Sequence, residues 1–528
     1  MSLADKLVLL NSEKLSLKTC FKVLGFDMTS TPFTSYHTLI SKLLTGLVGD
    51  YYLSSIWGKD TNDGLSPLSP FLTLSKAVSS ASDGETIVVM SGVYKGVDNC
   101  DFKINKSLTI IGGPITFFDG ETVRRSGWTL NYPNIITVKG ISFINGFSNG
   151  SRGGAVYNYN TGNSFIDCSF INNIGGQGGV LYLRRSNVSN CSFINNAGDY
   201  GGAVYVDQSS GEVGTSISDC SFINNSSNFD GGAIYHRFSY NTVKNSVFTN
   251  NHAEGTGGAV YDYYLDTIMN CTFTGNNSIK EGGAVYNQTS STISDCSFTG
   301  NASNSDGGAV YNYGVMGSYT GNTITACTFT ANTSQTNGGG IFNKKTNIIN
   351  DSTFTGNSAS NLGGAIYNGE ANTLNNIDLL TLIGSYIYNE TTGTVMDNTY
   401  WNTSTPTSTD YYSTLNDCIP SNDRNSPNHP ERLNQTSLTL SVDNTSISNG
   451  SKLTLTGTLK DLNNTLISNA GINFYKDGVL IGTSKTNISG IASFTYTTTT
   501  TGDCVFKADY QAKSYIGSTS GNITVTVT

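Results

Sequence analysis

Cysteine is the residue of this chain whose spacing most directly suggests chemistry, because thiols can bridge, bind metal ions or stay buried. Six of the ten cysteines share one repeat position, two residues before a phenylalanine: Cys168, Cys191, Cys220, Cys271, Cys296 and Cys327. Residues two apart on a strand face the same side, so both would enter the core. Thiols on strands ~4.8 Å apart, with parallel Cβ vectors, fit disulfide geometry poorly. The spacing predicts a row of buried free thiols, with some bridging as the alternative; metal binding is disfavoured because the four histidines are scattered.

Carboxylates occur at the position before these cysteines, where an acid and base pair could act on a polysaccharide. That position holds Asp167, Asn190, Asp219 and Asn245 in four successive copies. Glycoside hydrolysis needs two carboxyl groups ~5–9.5 Å apart. Because asparagine separates the acids, the row does not place two carboxylates on adjacent strands. It predicts a solvated edge rather than a catalytic pair.

Oxygen ligands for a calcium ion are concentrated in one short loop. Asp60, Asn62 and Asp63 resemble half of a calcium-binding loop, and hard oxygen ligands suit Ca²⁺. The late glutamate of a full loop is missing. These residues are the candidate Ca²⁺ site, and Ca²⁺ is the single cofactor that the sequence suggests. The alternative is a turn capped by Asx side chains.

A row of tyrosines and a pair of arginines are the candidates for ligand binding. The tyrosines share one repeat position: Tyr157, Tyr205, Tyr235, Tyr261, Tyr286 and Tyr311 are the candidates, and Tyr182 and Tyr367 belong to the same row. Facing outward, the row would form a flat platform suited to sugar rings; facing inward, it would belong to the core. Arg184 and Arg185, like Arg124 and Arg125, could line a groove for an acidic glycan. The alternative is that both are plain exposed pairs.

A repeat must position all these residues. A Gly-Gly-Ala-Val-Tyr-like segment occurs nine times in residues 153–388, with a core period of 25 residues. A Cys-x-Phe-x-x-Asn segment follows, and its asparagine is expected to adopt left-handed turn geometry. The unit has no helical period and cannot bury its apolar side alone, whereas stacked coils bury phenylalanine on phenylalanine. The pattern predicts a parallel β-helix of roughly 12 coils, ~60 Å long.

The residues before the repeats resemble the N-terminal part of pectate-lyase-like right-handed β-helix proteins. This resemblance rests on segments 58–64, 70–77 and 83–87. A short helix predicted over 72–81 would cover the open end of the core. The repeats resemble those of adhesin-like surface proteins of methanogenic archaea and, more distantly, of chlamydial polymorphic outer-membrane proteins. The resemblance covers about residues 50–400 and implies right-handed coils at a cell surface.

A second unit is predicted where the repeats end. Seven short strands separated by turn signals are typical of an antiparallel sandwich: 437–442, 452–459, 471–476, 479–483, 492–497, 504–510 and 523–527. This unit resembles the immunoglobulin-like modules of prokaryotic surface proteins, without the Cys…Trp…Cys pattern of antibody domains. The predicted organisation has four parts: a segment of unclear role with a helical cap as one interpretation, the β-helix, a linker and the sandwich, at residues 1–49, 50–400, 401–434 and 435–528.

Composition narrows the function classes. The net charge is −9 and only 13% of residues are charged, with no basic patch, which disfavours nucleic-acid binding. No apolar run is long enough to span a membrane, and no secretory signal pattern is found in residues 1–50. The expected fold is all-β, a right-handed parallel β-helix followed by a small antiparallel immunoglobulin-like sandwich.

The resemblance, more than any residue constellation, indicates the function. It favours a non-enzymatic adhesin-like protein, extracellular or at the cell surface, whose β-helix shaft binds glycans or the surface of another cell. One alternative is a polysaccharide lyase or glycoside hydrolase with its site on the β-helix. The other is a passive structural protein of a cell wall or surface layer.

Overall fold

A β-helix and a later two-sheet unit make up the described chain. The computed structural model describes residues 47–130, 133–207, 214–237, 240–314, 321–379, 387–390, 394–397, 400–401, 411–413, 436–461, 465–468, 470–510 and 518–528. The predicted all-β class and right-handed parallel β-helix are confirmed. The cap predicted within residues 1–49 and most of the predicted linker 401–434 lie outside the described residues. No helix in the described ranges is long and apolar enough to cross a membrane.

Three long parallel sheets, here called A, B and C, form the faces of the β-helix, and a short sheet D runs beside them. Sheet A has 14 strands: Tyr51–Leu53, Thr86–Val89, Leu108–Gly112, Ile136–Lys139, Ser164–Ile166, Asn187–Ser189, Ser216–Ser218, Thr242–Lys244, Thr267–Met269, Thr292–Ser294, Thr323–Thr325, Ile348–Asn350, Thr373–Asn375 and Val395–Asp397. Sheet B has 13: Gly92–Tyr94, Thr116–Asp119, Ser142–Ile144, Ser169–Ile171, Ser192–Ile194, Ser221–Ile223, Val247–Thr249, Thr272–Thr274, Ser297–Thr299, Thr328–Thr330, Thr353–Thr355, Asp378–Leu379 and Tyr400–Trp401. Sheet C has 13: Lys103–Ile104, Thr129–Leu130, Val156–Asn158, Leu181–Leu183, Val204–Val206, Ile234–His236, Val260–Asp262, Val285–Asn287, Val310–Asn312, Ile341–Asn343, Ile366–Asn368, Ile387–Asn389 and Tyr411–Ser413. Sheet D has seven: Ala197–Gly198, Ser226–Ser227, His252–Ala253, Asn277–Ser278, Ala302–Ser303, Thr333–Ser334 and Ser358–Ala359.

The core of the β-helix is built from rows of identical residues on successive coils. In sheet B, phenylalanine pairs in register with phenylalanine, as Phe248 does with Phe273. From Phe193 to Phe354 the neighbouring rings lie 4.7–4.8 Å apart and within 6° of parallel. Each ring is fully buried, which stabilises the fold by ~1.5–3 kcal/mol per side chain. This is the stacking that the 25-residue period predicts.

The asparagines three residues after these phenylalanines form a second, buried row. Their side chains donate to one another along the shaft, Nδ2 to Oδ1, at 2.9–3.1 Å, through Asn173, Asn196, Asn225, Asn251, Asn276, Asn301, Asn332 and Asn357. We call this row the asparagine ladder. The expectation that these asparagines adopt left-handed geometry is wrong. The preceding residue does so instead, as at Asn172, Asn195 and Asn224 with φ of 55°, 54° and 53°.

The paired glycines permit two different features of each coil. The first adopts positive φ, 70° at Gly282, which L side chains rarely tolerate. The second allows adjacent coils to approach: a Cβ built on Gly283 would lie 2.0 Å from the carbonyl oxygen of Gly308. The Gly-Gly segment is therefore required by turn geometry and by close backbone packing together.

A short helix covers the N-terminal end of the core, as expected. It spans Leu74–Ser80, inside the predicted 72–81, and buries Leu74, Ala77 and Val78. The Thr73 side chain accepts a hydrogen bond from the Lys76 amide and caps the first turn. The ammonium of Lys106 donates to carbonyl oxygens of the last turn, where the helix dipole favours a cation.

The cysteine row is confirmed as buried free thiols. All six predicted cysteines are free and buried, as are Cys100 and Cys504. Burial raises the pKa of Cys100 to about 12. Cys20 and Cys418 lie outside the described residues.

The C-terminal unit consists of two sheets around a separate core. One sheet contains Thr436–Val442, Lys452–Asp461 and Ile491–Thr497, and the other contains Ser446–Ile447, Ile523–Val527, Gly502–Tyr510, Gly471–Lys476 and Val479–Lys485, with Ser518–Thr519 paired to Gly502–Tyr510. Their inward side chains pack together, including Leu455 from the first sheet and Phe474 and Phe506 from the second. All seven predicted strands are present, most of them one or two residues longer than predicted. The immunoglobulin-like topology stays a prediction.

Candidate functional site: an outward tyrosine ladder beside an arginine cluster

The tyrosine row lies on the outer surface of sheet C. Side chains alternate along a strand, so Val285 and Asn287 enter the core while Tyr286 points away from it. Tyrosine pairs with tyrosine in register from coil to coil, as Tyr261 does with Tyr286. We call the ten rings the tyrosine ladder: Tyr157, Tyr182, Tyr205, Tyr235, Tyr261, Tyr286, Tyr311, Phe342, Tyr367 and Tyr388.

The rings stack face to face along the shaft. From Tyr182 to Tyr367 their centroids lie 4.6–5.4 Å apart with interplanar angles of 3–12°. The face of each inner ring is therefore covered by its neighbours. The side chains point away from the β-helix core, as in the outward interpretation, but they form no flat platform. Stacking and neighbouring residues bury much of the row: Tyr182 is fully buried, and Tyr205 and Tyr311 are only 3% and 5% exposed. A sugar could stack on a ring face only at an end of the ladder.

The first ring, Tyr157, breaks this regularity. It makes an angle of 62° with Tyr182 at a centroid distance of 5.3 Å. In the preceding coil its register partner is Thr129, so no ladder ring covers it from that side. The arginines Arg125 and Arg152 lie 6.0 and 5.9 Å from its centroid. The end of the ladder thus combines an aromatic ring with two cations.

Burial keeps the phenols of the ladder neutral. It raises the pKa of Tyr235, Tyr261, Tyr286 and Tyr311, mainly because a phenolate there would lose its hydration. The Tyr261 hydroxyl donates to Gln288 Oε1 at 2.7 Å. The ladder phenols therefore stay protonated at and above neutral pH, although Tyr261 already donates its single hydrogen to Gln288.

Arg152 occupies the centre of the arginine cluster. Its guanidinium lies 4.7 Å from the Tyr182 centroid. Nε donates to Gln177 Oε1 at 2.9 Å and Nη1 donates to the Tyr157 hydroxyl at 3.2 Å. Within the described ranges no carboxylate forms an ion pair with it, although Arg125 is paired with Asp101 at 2.9 Å. Arg152 is therefore oriented by neutral groups and forms no ion pair in the described ranges, although the nearby carboxylate of Asp207 attracts its charge and helps to raise its pKa.

The predicted arginine pair lies in the next coil and is only partly available. Arg184 lies 4.0 Å from the Tyr159 centroid and 3.6 Å from the buried carboxylate of Asp207. Asp207 is also 3.3 Å from Arg237. Arg185 is half-buried at a turn with φ of 38°. The structure brings Arg184 close to the start of the ladder, but the carboxylate of Asp207 compensates much of its charge.

The candidate calcium residues are engaged in turn hydrogen bonds. Asp60 accepts from the Leu72 and Thr73 amides at 2.9 and 3.0 Å. Asp63 accepts from the Leu65 amide at 3.1 Å, and Asn62 Nδ2 donates to a backbone carbonyl. This geometry is that of the Asx-capped turn. Calcium binding there stays a prediction.

The carboxylate row before the cysteines is an exposed edge with a conformational role. Asp167, Asn190, Asp219 and Asn245 have φ of 55°, 51°, 57° and 52°. Asparagine and aspartate tolerate this left-handed region better than other non-glycine residues, which explains the residue types. Asn190 Nδ2 donates to Asp167 Oδ1 at 2.7 Å, and Asn245 does the same to Asp219 at 3.0 Å. Each carboxylate therefore has an amide as its neighbour.

Sequence reasoning missed Arg152, Tyr388 and a buried cluster of His236, Asp262 and Asp266. The cluster is the one group of titratable side chains in the described ranges whose ligand atoms lie close enough to hold a metal ion. Burial alone lowers the pKa of His236, but the two carboxylates raise it to about 10. Burial raises the pKa of Asp266 to about 7 against the attraction of His236. The available signal was a departure from the repeat: the inward residue after the ladder ring is asparagine in six of the ten coils, leucine or valine in two, and histidine or aspartate in two.

Comparisons with known proteins concern the repeats. Six segments match the Chlamydia polymorphic membrane protein repeat: 219–237, 245–262, 270–288, 295–313, 326–344 and 351–369. No curated protein matches the sequence. Among solved structures, a mutant of the PL6 family alginate lyase AlyGC is 13% identical, with a TM-score of 0.31. That match covers 59% of this chain and 52% of the lyase chain, so this chain spans about half the length of that structure.

Proposed function

We propose that this protein is a cell-surface, adhesin-like shaft that binds acidic glycans at the arginine-flanked start of the tyrosine ladder. The six repeats similar to the polymorphic membrane protein repeat support a surface location. A shaft with one motif per coil suits a long polymer, because many weak contacts along one chain add up to avidity.

The observation that carries the proposal is that Arg152 forms no direct ion pair in the described ranges. The neighbouring arginines Arg125, Arg184 and Arg237 each have a carboxylate partner. Arg152 instead lies over the Tyr182 ring, held by Gln177 and Tyr157. A planar guanidinium held in this way can bind the carboxylate of a uronic acid through two parallel hydrogen bonds.

Neutral phenols extend the binding surface along the shaft. In the described part of the chain the hydroxyls of Tyr235, Tyr286 and Tyr311 form no hydrogen bond with another residue, and their pKa values are raised by burial. They can donate to sugar hydroxyls without the repulsion that a phenolate would impose on an acidic polymer. Arg152 would then determine the preference for acidic glycans, and the ladder would extend the contact along the polymer.

The test is a titration of the purified chain with acidic and neutral oligosaccharides of equal length, polyuronates against galactans, by calorimetry. We expect Arg152→Gln to weaken polyuronate binding about 10- to 100-fold, the loss for a charged hydrogen bond of ~1.5–3 kcal/mol. Binding should also weaken about tenfold as the salt concentration rises from 50 to 500 mM, because salt screens the attraction between Arg152 and the acidic polymer.

Lys345→Gln is the matched control. It removes one positive charge from a residue that is already paired with Glu370 at 2.5 Å, on a coil distant in sequence from Arg152. Equal binding of acidic and neutral chains, or equal effects of the two substitutions, would contradict the proposal. The same samples are assayed for released reducing ends and unsaturated sugars, and sustained release would favour the lyase or hydrolase alternative.

A further inference from the structure

We propose that the β-helix encloses a divalent metal ion of the zinc or manganese type, held by His236, Asp262 and Asp266. The three residues lie inside the shaft, so this site is separate from the surface proposed to bind glycans. It concerns how one region of the shaft is held together.

The ligand atoms converge on one point in the interior. His236 Nδ1 lies 2.7 Å from Asp262 Oδ1 and 3.2 Å from Asp266 Oδ2. The exposed fraction of each side chain is 1% or less. An imidazole nitrogen carries at most one hydrogen, so it cannot satisfy both carboxylates by hydrogen bonding. A cation among the three atoms satisfies all of them.

Additional oxygen and nitrogen atoms at this level have no hydrogen-bond partner. In the described ranges these buried atoms include His236 Nε2, Asp262 Oδ2, Asp266 Oδ2, Asn287 Oδ1 and Thr289 Oγ1. Buried polar atoms are almost always hydrogen-bonded, and their concentration within two coils is a second indication of a missing partner.

The orientation of Asn287 follows from its neighbours. Asn287 Nδ2 donates to Asn312 Oδ1 at 3.0 Å, so its own Oδ1 faces the preceding coil. The residue in register there is Asp262, which as a carboxylate has no hydrogen to donate. Two acceptors therefore face one another inside the shaft, an arrangement that a cation relieves.

The coils that follow show that His236 and Asp262 depart from a repeated asparagine row. The inward position of sheet C continues from Asn287 as asparagine through Asn312, Asn343 and Asn368, joined side chain to side chain at 2.8–3.0 Å. His236 and Asp262 occupy the two preceding coils of this row. Charged groups there cost stability unless they are compensated.

The charges of the set match a divalent ion. A neutral imidazole and two carboxylates carry −2, so a divalent cation makes the buried set electrically neutral. Mixed nitrogen and oxygen ligands suit Zn²⁺ and Mn²⁺. Because the site is closed to solvent, the ion would bind as the chain folds, and its binding energy would add to folding stability.

The experiment measures metal in the whole chain after refolding with Zn²⁺ or Mn²⁺ and exhaustive dialysis, by inductively coupled plasma mass spectrometry. We expect about one ion per chain. We also expect the melting temperature of wild-type protein refolded with chelator to fall by several degrees relative to protein refolded with metal. Refolding with Co²⁺ should give visible absorption bands from a buried mixed-ligand site.

The control variant carries His236→Asn, Asp262→Asn and Asp266→Asn, which are the residue types that other coils use at the same positions. It should fold because it continues the existing rows, hold less than a tenth of the wild-type metal, and melt at one temperature with or without chelator. The proposal is overturned if wild type holds no more metal than this variant and melts identically in chelator. A proton shared among the three side chains would then be the occupant.

Discussion

Replacing one member of the asparagine ladder should destabilise the shaft more than its polar character suggests. The Asn276 side chain donates to Phe248 O at 3.0 Å and Asn301 Oδ1 at 2.9 Å. Its Oδ1 accepts from Asn251 N and Asn251 Nδ2, both at 2.9 Å. Asn276→Ala removes all four hydrogen bonds.

The magnitude follows from these partners. Four hydrogen bonds at a net ~1 kcal/mol each amount to about 4 kcal/mol. The Asn251 amide hydrogen loses its acceptor in a buried position, and a buried unsatisfied donor adds ~1–3 kcal/mol. We expect the free energy of unfolding to fall by about 5–7 kcal/mol, more than the ~3–5 kcal/mol for truncation of a core phenylalanine.

The neighbouring Asn277 provides the matched control, because it is exposed. Asn277→Ala should change the free energy of unfolding by less than about 0.5 kcal/mol. Unfolding in guanidinium chloride is followed by far-ultraviolet circular dichroism, and hydrogen exchange reports whether amides of the adjacent coils open first. If the two variants have equal midpoints, the asparagine ladder does not stabilise the coil and the reasoning fails.

Two further predictions concern the tyrosine ladder and the glycine pair. Burial raises the pKa of ladder phenols such as Tyr261 above the ordinary 10.0, so the folded chain keeps protons that the unfolded chain loses; their contribution to stability is full below pH 10 and declines as pH rises further. The absorbance of phenolate at 295 nm should therefore show that the ladder tyrosines do not ionise near pH 10 while the protein is folded. Ionisation of every tyrosine at pH 10 in folded protein would contradict this. Gly283→Ala places a Cβ 2.0 Å from the Gly308 carbonyl oxygen and should lower the free energy of unfolding by at least ~2 kcal/mol. Gly521→Ala is the control: its Cβ would have no atom within 4 Å, so the free energy of unfolding should hardly change. Equal denaturation midpoints for the two variants would refute the close-packing explanation.

The fold was predictable from the sequence because its dominant interactions repeat at a fixed period. Cysteine and phenylalanine two residues apart indicate one face of a strand, and 25-residue spacing places like residues on one another. The short alternating segments after residue 435 likewise predict strands that the structure contains. These signals are local in sequence or strictly periodic, so no tertiary knowledge is needed to read them.

The polar interior was not predictable in the same way. Asparagine is common in turns, so its place three residues after phenylalanine suggests a bend, whereas the structure buries it and bends the chain one residue earlier. Whether the tyrosines face inward or outward depends on the phase of each sheet C strand relative to the core. The position of Arg152 over Tyr182 depends on coil stacking, which a single isolated arginine in the sequence does not reveal.

The rows also bear on how the length of such a shaft can change between genes. From Gly282 to Gly363 each coil pairs with the next through the same or closely similar residue types, so duplication or loss of one whole unit would leave equivalent pairs at every junction. The length of the shaft can thus vary in integral steps of one coil. The coils that carry His236 and Asp262 do not share this freedom, because a copy inserted between them would separate two side chains that only fit each other. The number of periodic coils can therefore vary, whereas the two coils that carry His236 and Asp262 must stay adjacent.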